Sequence, residues 1–458
     1  MKQTTRRQFI GQTSALLAAA SIRQANSAGT TSAQNSRPNI IVILVDDLGF
    51  GDLNRYGSDD LLTPNMDSIG DQGARFQNAY SNCPVCSPTR AALLSGRFQD
   101  MVGVPGVIRT HLNNSWGYLS PDARLLPEIL QQQGYQTACI GKWHLGLEPP
   151  NLPNQRGFGH FKGFLGDMMD DYNTHLRHGN NYMRDNDKEI DPEGHATDLF
   201  SDWAADYIKQ QSSANPFFLY LAYNAPHAPI QPPQEFVDRY RDRHPNADAK
   251  RAKIAGFIEH LDEGVGRVLS ALKQSGFEEN TLVVFASDNG GRRDLGASNG
   301  QWRDNKGTLY EGGIRVPMSA QWPGSIPSGQ TTDRIALSMD IMPTVLQAAG
   351  IQPPGGIEGR SFLPTLRGET QAEEVRDLFF TRREGGKFKG GRIACIRRGD
   401  WKLLQPMPGE PYELYNLADD PFERQELTKA QPKVSRELAS ALEAQLARYD
   451  KVPWKPSR

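Results

Sequence analysis

Only four cysteines occur in the 458 residues, at positions 83, 86, 139 and 395. Cys83 and Cys86 have CxxC spacing, but Cys139 and Cys395 stand alone, so no second pair completes a zinc site. The chain also has little net charge, formally −2. That excludes a bulk electrostatic attraction to nucleic acid, and any polyanionic substrate must meet a local basic patch. No apolar run is long enough to span a bilayer as a stable helix, and no internal repeat or low-complexity tract interrupts the chain. What is present is ordinary for a soluble globular protein: 38% hydrophobic and 23% charged residues. A chain of this length buries a large core and accommodates one large domain and a smaller one.

Residues 1–28 read as a targeting segment. Thr5-Arg6-Arg7-Gln8-Phe9-Ile10 matches a twin-arginine export signal, followed by a short apolar run from Ala15 to Ala20 and small residues up to Ala28. This segment carries Lys2, Arg6, Arg7 and Arg23 and no acid, so its removal takes the formal charge from −2 to −6. The expected location is periplasmic or secreted, with the twin-arginine translocase as a partner and no membrane span. Residues 29–37 are a polar linker.

Three continuous apolar runs, 38–45, 216–223 and 280–286, read as strands buried on both faces of an α/β sheet. Each ends in polar residues: Asp46-Asp47, Asn224-Ala225-Pro226-His227, and Ser287-Asp288-Asn289-Gly290-Gly291. The carboxyl ends of parallel strands are where such folds place their sites. For Asp46 and Asp47, a solvated turn and a shared cation are both open readings. Helices are expected over 63–73, 125–133, 196–211, 254–275, 338–350 and 433–449, and residues 149–195 read as long loops over the strand ends. A strand-and-turn at 134–146 places Lys142 and His144 two residues apart, on one side at a strand end.

The centre of the chain is Cys86-Ser87-Pro88-Thr89-Arg90, followed by Ala91-Ala92-Leu93-Leu94-Ser95-Gly96-Arg97. Pro88 is expected to open a helix, with Cys86 just before its N-terminus, where backbone N–H groups favour an anion. Arg90, one turn on, points a guanidinium at the same place. CxxC spacing alone leaves a redox pair open, but the whole run decides against it. It closely resembles the signature of the type I sulfatases, over about residues 38–450. The resemblance implies an alkaline-phosphatase-like α/β fold: a large, mostly parallel central sheet flanked by helices, spanning 38–370. It also implies a smaller C-terminal α+β subdomain, 371–458, on a short antiparallel sheet.

The same resemblance implies that Cys86 is converted to formylglycine (3-oxoalanine) by a formylglycine-generating enzyme, whose hydrate attacks sulfur. Arg90 supports that residue. Lys142 and Lys306, the latter five residues before Glu311-Gly312-Gly313, contact the sulfate. His227 protonates the leaving oxygen, Asp288 takes the nucleophile's proton, and His144 later releases sulfate. Asp46, Asp47, Cys86, Asp288 and Asn289 hold a cation. The Asp and Asn oxygens favour Ca²⁺, with Mg²⁺ as runner-up, over Zn²⁺. Arg292, Arg293, Asp294, Asn299 and Arg303 are candidate substrate contacts. The expected substrate is a sulfated saccharide, and the 290–311 segment resembles that of galactose or N-acetylgalactosamine sulfatases, which implies that sugar type. A phosphatase or phosphodiesterase of the same superfamily is the nearest alternative. A non-catalytic carbohydrate-binding relative, with Cys86 left as a thiol, is the other.

Overall fold

The three apolar runs do form the middle of a sheet. In a computed structural model that describes residues 37–372 and 375–455, ten strands hydrogen-bond into one sheet. The export signal and most of the linker lie outside the described residues. In chain order the strands are β1 (Asn39–Val45), β2 (Ala74–Tyr80), β3 (Gln136–Lys142) and β4 (His160–Phe164). A separate ribbon follows, β5 (Leu176–Arg177) and β6 (Asn180–Asn181), then β7 (Met183–Asp185), β8 (Lys188–Glu189), β9 (Phe217–Ala222), β10 (Thr281–Ser287), β11 (Met318–Gln321) and β12 (Gln330–Leu337). The sheet order is β12-β2-β11-β10-β1-β9-β3-β4-β7-β8. The central strands β10, β1, β9, β3 and β4 are parallel, while β11, β7 and β8 run antiparallel to their neighbours.

Period-two alternation divides each central strand between two cores. From β1, Ile40, Val42 and Leu44 face a layer shared with helices Cys86–Ser95, Leu126–Gln132 and Ile341–Ala348. Ile41, Ile43 and Val45 face helices Pro64–Asp71, Ala196–Lys209 and Ala249–Gln274 on the other side. Each such buried aliphatic side chain stabilises the fold by about 1.5–3 kcal/mol. The strand ends are knitted together: Asp46 N–H donates to Ala225 O (3.1 Å), Asp288 N–H to Val45 O (3.0 Å), and Leu48 N–H to Ser287 Oγ (3.1 Å). Residues flanking β1, β9 and β10 therefore converge at one edge.

The C-terminal part forms a four-stranded antiparallel sheet, β13 (Asp377–Arg383), β14 (Arg392–Arg398), β15 (Trp401–Leu404) and β16 (Glu413–Asn416), covered by helix Pro432–Tyr449. No helix among the described residues is long and apolar enough to cross a membrane.

Three expectations need correction. Residues 149–195 are not all loop: β4 pairs with β3, and β7 and β8 extend the sheet. Glycines and polar edge residues hid those strands. The helix expected from 254 begins at Ala249, with Asp248 accepting the N–H groups of Lys250 and Arg251 at its start. The charged Lys250, Arg251 and Lys253 masked its first turn. Cys86 is the first residue of its helix rather than the residue before it.

Candidate active site

Helix Cys86–Ser95 starts without a side-chain cap and stops at Gly96, whose φ of +64° glycine tolerates at little cost. The turn before it is fixed by Thr89, whose hydroxyl donates to Cys83 O (2.9 Å) and accepts from Cys83 N–H (3.2 Å). This leaves the Cys86 thiol nearly enclosed, 3.3 Å from Asp46 Oδ1 and 3.4 Å from Lys306 Nζ. All four cysteines are buried free thiols. Burial first, then the Asp46 charge, pushes the Cys86 thiol well above its ordinary pKa. As a thiolate nucleophile it is therefore poorly prepared.

The charged groups predicted from the strand ends come together around it. Arg90 donates to Asp288 Oδ2 from both Nη2 (2.7 Å) and Nε (3.1 Å), and its Nη2 lies 3.4 Å from Asp46 Oδ2. Lys142 Nζ pairs with Asp46 Oδ2, and Lys306 Nζ with Asp47 Oδ1. Arg90, Lys142, Asp46 and Asp288 are buried throughout. Burial alone would raise the Asp46 pKa, but Lys142, His227, Arg90 and Lys306 together hold it well below the usual carboxylate range. Asp288 goes the other way: burial, then the neighbouring Asp46 charge, pushes it up. Two carboxylates of one site thus differ in basicity.

The two histidines are held in defined tautomers. A carbonyl only accepts, so His144 Nε2–H donates to Ile108 O (2.8 Å), leaving Nδ1 as the basic nitrogen, buried with no partner. Burial first, then the Lys142 and Arg90 charges, holds His144 well below the usual imidazole pKa. The expectation that Lys142 and His144 share a side through strand alternation fails in its reason: β3 ends at Lys142, and His144 sits at φ +59°. His227 donates from Nδ1 to Ala228 O (2.7 Å), and its Nε2 faces Asp47 Oδ2 at 3.7 Å.

The fit of these residues to a cation rests on orphaned oxygens. Asp47 Oδ2 and Asn289 Oδ1 are buried with no hydrogen-bond partner, a costly arrangement that an ion relieves. Asn289 Nδ2 donates to Asp47 Oδ1 (2.7 Å), which aims its oxygen side away from that bond. Asp46, Asp47, Cys86 and His227 each place a ligand atom within 4.8 Å of the others. Backbone approach keeps the loops this close: a Cβ on Gly290 would lie 2.0 Å from Gly312 O, and one on Gly49 2.1 Å from Ser298 O.

The residues expected to contact substrate divide. Asn299 is fully buried, and its amide is spent on Gly291 N–H (2.8 Å), Gly291 O (3.0 Å) and Asp304 O (3.2 Å). It braces the loop beside the metal pair, which corrects the expectation of a substrate contact. Arg303 reaches Tyr415 OH (2.8 Å) and Glu423 O (2.6 Å) in the C-terminal part, and Arg293 Nη2 folds back on Gly300 O (3.1 Å) and Trp302 O (2.6 Å). Neither is directed at Cys86. Arg292 and Asp294 pair with each other, 3.1 Å from Nε to Oδ1.

Sequence reasoning missed a second buried charge group, between the 303–314 segment and the C-terminal sheet. Lys402 Nζ lies 2.9 Å from Glu311 Oε1 and 2.8 Å from Glu423 Oε1, and Glu423 Oε2 accepts Glu311 N–H (2.8 Å). Arg382 donates to Gly307 O (2.9 Å), the residue after Lys306. No spacing signal connects partners 91 and 112 residues apart.

Comparisons with known proteins agree with this geometry. Residues 38–351 match the Sulfatase family model, and residues 299–451 match the model for the C-terminal part of N-sulphoglucosamine sulphohydrolase. The chain is 33% identical to the N-acetylgalactosamine-6-sulfatase of Canis lupus familiaris over 389 residues, covering 80% of this chain and 71% of the relative. It is 33% identical to arylsulfatase A of Bos taurus over 464 residues, covering 91% and 89%. The solved structure of Ps i-CgsB in complex with k-i-k-neocarrahexaose superposes with a TM-score of 0.81 at 32% identity, over 89% of this chain and 92% of that one.

Proposed function

The chain belongs to the sulfatase family and is a sulfuric ester hydrolase, and from that premise we propose that it removes O-sulfate from a sulfated carbohydrate of galactose or N-acetylgalactosamine type. The observation that carries this reading is the convergence of Arg90, Lys142 and Lys306 on the carboxylates around Cys86. Three cations beside a nucleophile position suit a transferring group whose negative charge is spread over three oxygens. The neighbouring enzymes support the sugar class: one relative is an N-acetylgalactosamine-6-sulfatase, and one similar structure carries a neocarrahexaose.

Asp46, Asp47, Asp288 and Asn289 would hold a divalent cation, Ca²⁺ before Mg²⁺, which supplies Lewis-acid polarisation of the sulfate. Conversion of Cys86 to formylglycine would replace a poor thiol nucleophile by a hydrated aldehyde at the same enclosed position. The remaining work belongs to the protein's other side chains. Arg90 holds Asp288 with two N–H groups and keeps it oriented toward the nucleophile position. The raised basicity of Asp288 suits a group that takes up a proton. Lys142 and Lys306 neutralise sulfate oxygens. His227, with Nδ1 fixed, offers Nε2 for protonating the departing sugar oxygen. His144 has Nε2 fixed on Ile108 O and presents an unpartnered Nδ1, the atom for a base that acts when sulfate leaves. Export by the twin-arginine route, maturation by a formylglycine-generating enzyme and a periplasmic or secreted location belong to the same proposal.

The test is a panel of sulfated monosaccharides and aryl sulfates offered to matured enzyme. Turnover of galactose or N-acetylgalactosamine sulfates ahead of the rest is the expected result. Activity confined to glucosamine or aryl sulfates would overturn the sugar assignment.

A further inference from the structure

We propose that Tyr172 is a positioning residue for His227, and that its hydroxyl sets where the leaving-group proton is delivered. The inference rests on the reading of His227 as general acid.

His227 sits in an extended turn, 224–231, that hangs between two supports. On the inner side Asp46 N–H donates to Ala225 O (3.1 Å) and His227 N–H to Asn224 O (2.9 Å). On the outer side the support is Tyr172. It is 1% exposed, and its hydroxyl donates to the carbonyl of His227 itself at 2.9 Å. Nδ1 of the imidazole is committed to Ala228 O and the His227 carbonyl to Tyr172, so only Nε2 is left to face the site. The position of Nε2 therefore depends on where the His227 peptide is held.

Tyr172 is rigid enough to hold it. Its ring stacks on His195, 5.1 Å between centroids at 18°, and meets the edge of Phe257 at 5.0 Å. Its N–H donates to Gln231 Oε1 (2.9 Å), and its carbonyl accepts Ala196 N–H (2.8 Å). Gln231 in turn donates to Asp171 Oδ2 (2.9 Å), while its carbonyl accepts from His195 Nε2 (3.0 Å). The far end of the His227 turn is thus clamped to the same group that carries Tyr172. A phenol donor holds this carbonyl without bringing a charge into the place.

In the step concerned, sulfur bonds to the nucleophile oxygen as the S–O bond to the leaving group breaks, the electron pair stays on the leaving oxygen, and His227, doubly protonated, passes its Nε2 proton to that oxygen and is left as the neutral Nδ1–H tautomer. A displaced Nε2 slows this transfer only where the leaving oxygen needs the proton. A nitrophenolate departs without it; a phenolate of higher basicity does not. That gives a readout that a general loss of stability would not move.

The experiment compares matured wild type, Tyr172→Phe and His227→Gln on a series from 4-nitrophenyl sulfate to phenyl and 4-methoxyphenyl sulfates. Tyr172→Phe keeps the ring on His195 and Phe257 and removes one hydroxyl. Its kcat/KM is expected to fall less than about twofold on 4-nitrophenyl sulfate and about tenfold on phenyl sulfate, the value of one hydrogen bond. His227→Gln should show the same leaving-group dependence more steeply. Equal losses across the series for Tyr172→Phe, or none, with a steep dependence for His227→Gln, would overturn the positioning role alone. A flat series for His227→Gln would remove the general acid and the inference with it.

Discussion

Arg90 and Asp288 form a fully buried ion pair in which one carboxylate oxygen accepts two guanidinium N–H groups, at 2.7 and 3.1 Å. The pair joins the helix that begins at Cys86 to the end of β10. Lysine cannot reproduce the fork. Arg90→Lys is expected to lower kcat about 100-fold or more, because Asp288 loses its orientation, while KM changes little. Arg90→Met leaves a buried carboxylate unpaired and should cost about 3–5 kcal/mol of stability. Steady-state kinetics and denaturant unfolding check the two variants.

Removal of divalent cations should abolish turnover and lower the melting temperature. The orphaned oxygens Asp47 Oδ2 and Asn289 Oδ1 place the effect at the proposed site. Calcium at 100 times its dissociation constant should add about 2.7 kcal/mol to stability by mass action. In Asn289→Leu, isosteric but without the oxygen, that calcium-dependent gain should largely disappear. Thermal melts of chelated protein with Ca²⁺, Mg²⁺ or Zn²⁺ added back measure this.

The Lys402 group is predicted to hold the segment that carries Lys306. Lys402 is buried between Glu311 and Glu423, and its loss leaves, among the described residues, Glu423 without a cation and Glu311 with only Arg315 at 3.2 Å. Lys402→Met should destabilise the protein by about 3–5 kcal/mol. A urea titration followed by tryptophan fluorescence reads the cost. Changing Glu423 alone to Gln in the same chain should recover much of it, since Glu311 keeps Arg315.

A pH effect should arise far from the site. Asp262 accepts the N–H groups of Asn65 and Met66, and burial pushes its pKa up to about 7. A carboxyl with a raised folded pKa holds a proton that the unfolded chain has already released. Its contribution is therefore full below the ordinary value of 3.8 and is lost as pH rises through about 7. The loss is at most about 4 kcal/mol. Urea midpoints should fall from pH 5 toward pH 7.5, and Asp262→Asn should flatten that slope.

Much of the fold and of the site could be read from residue order, for physical reasons that differ by element. β1, β9 and β10 are buried on both faces, so their apolar runs are unbroken, and the groups at their ends follow directly. Arg90, Lys142, His144, His227 and Lys306 came from a long motif and from strand-end positions, and all five lie near the Cys86 group. β2 went unread because its sequence, Ala-Arg-Phe-Gln-Asn-Ala-Tyr, mixes polar residues into a half-covered strand. Asn299 looked like a ligand because it is polar and close in sequence to the metal pair; its burial makes it a brace. The Glu311–Lys402–Glu423 group and the Tyr172–His227 bond were invisible because both join distant segments through single side chains.

The central claim is that Cys86 is matured to an aldehyde. It is tested most directly by mass spectrometry of the tryptic peptide Phe76–Arg90 from protein made alongside a formylglycine-generating enzyme. The account predicts a peptide in which the Cys86 thiol is replaced by formylglycine, in proportion to specific activity. An unmodified thiol in fully active enzyme, or a disulfide between Cys83 and Cys86, would contradict it.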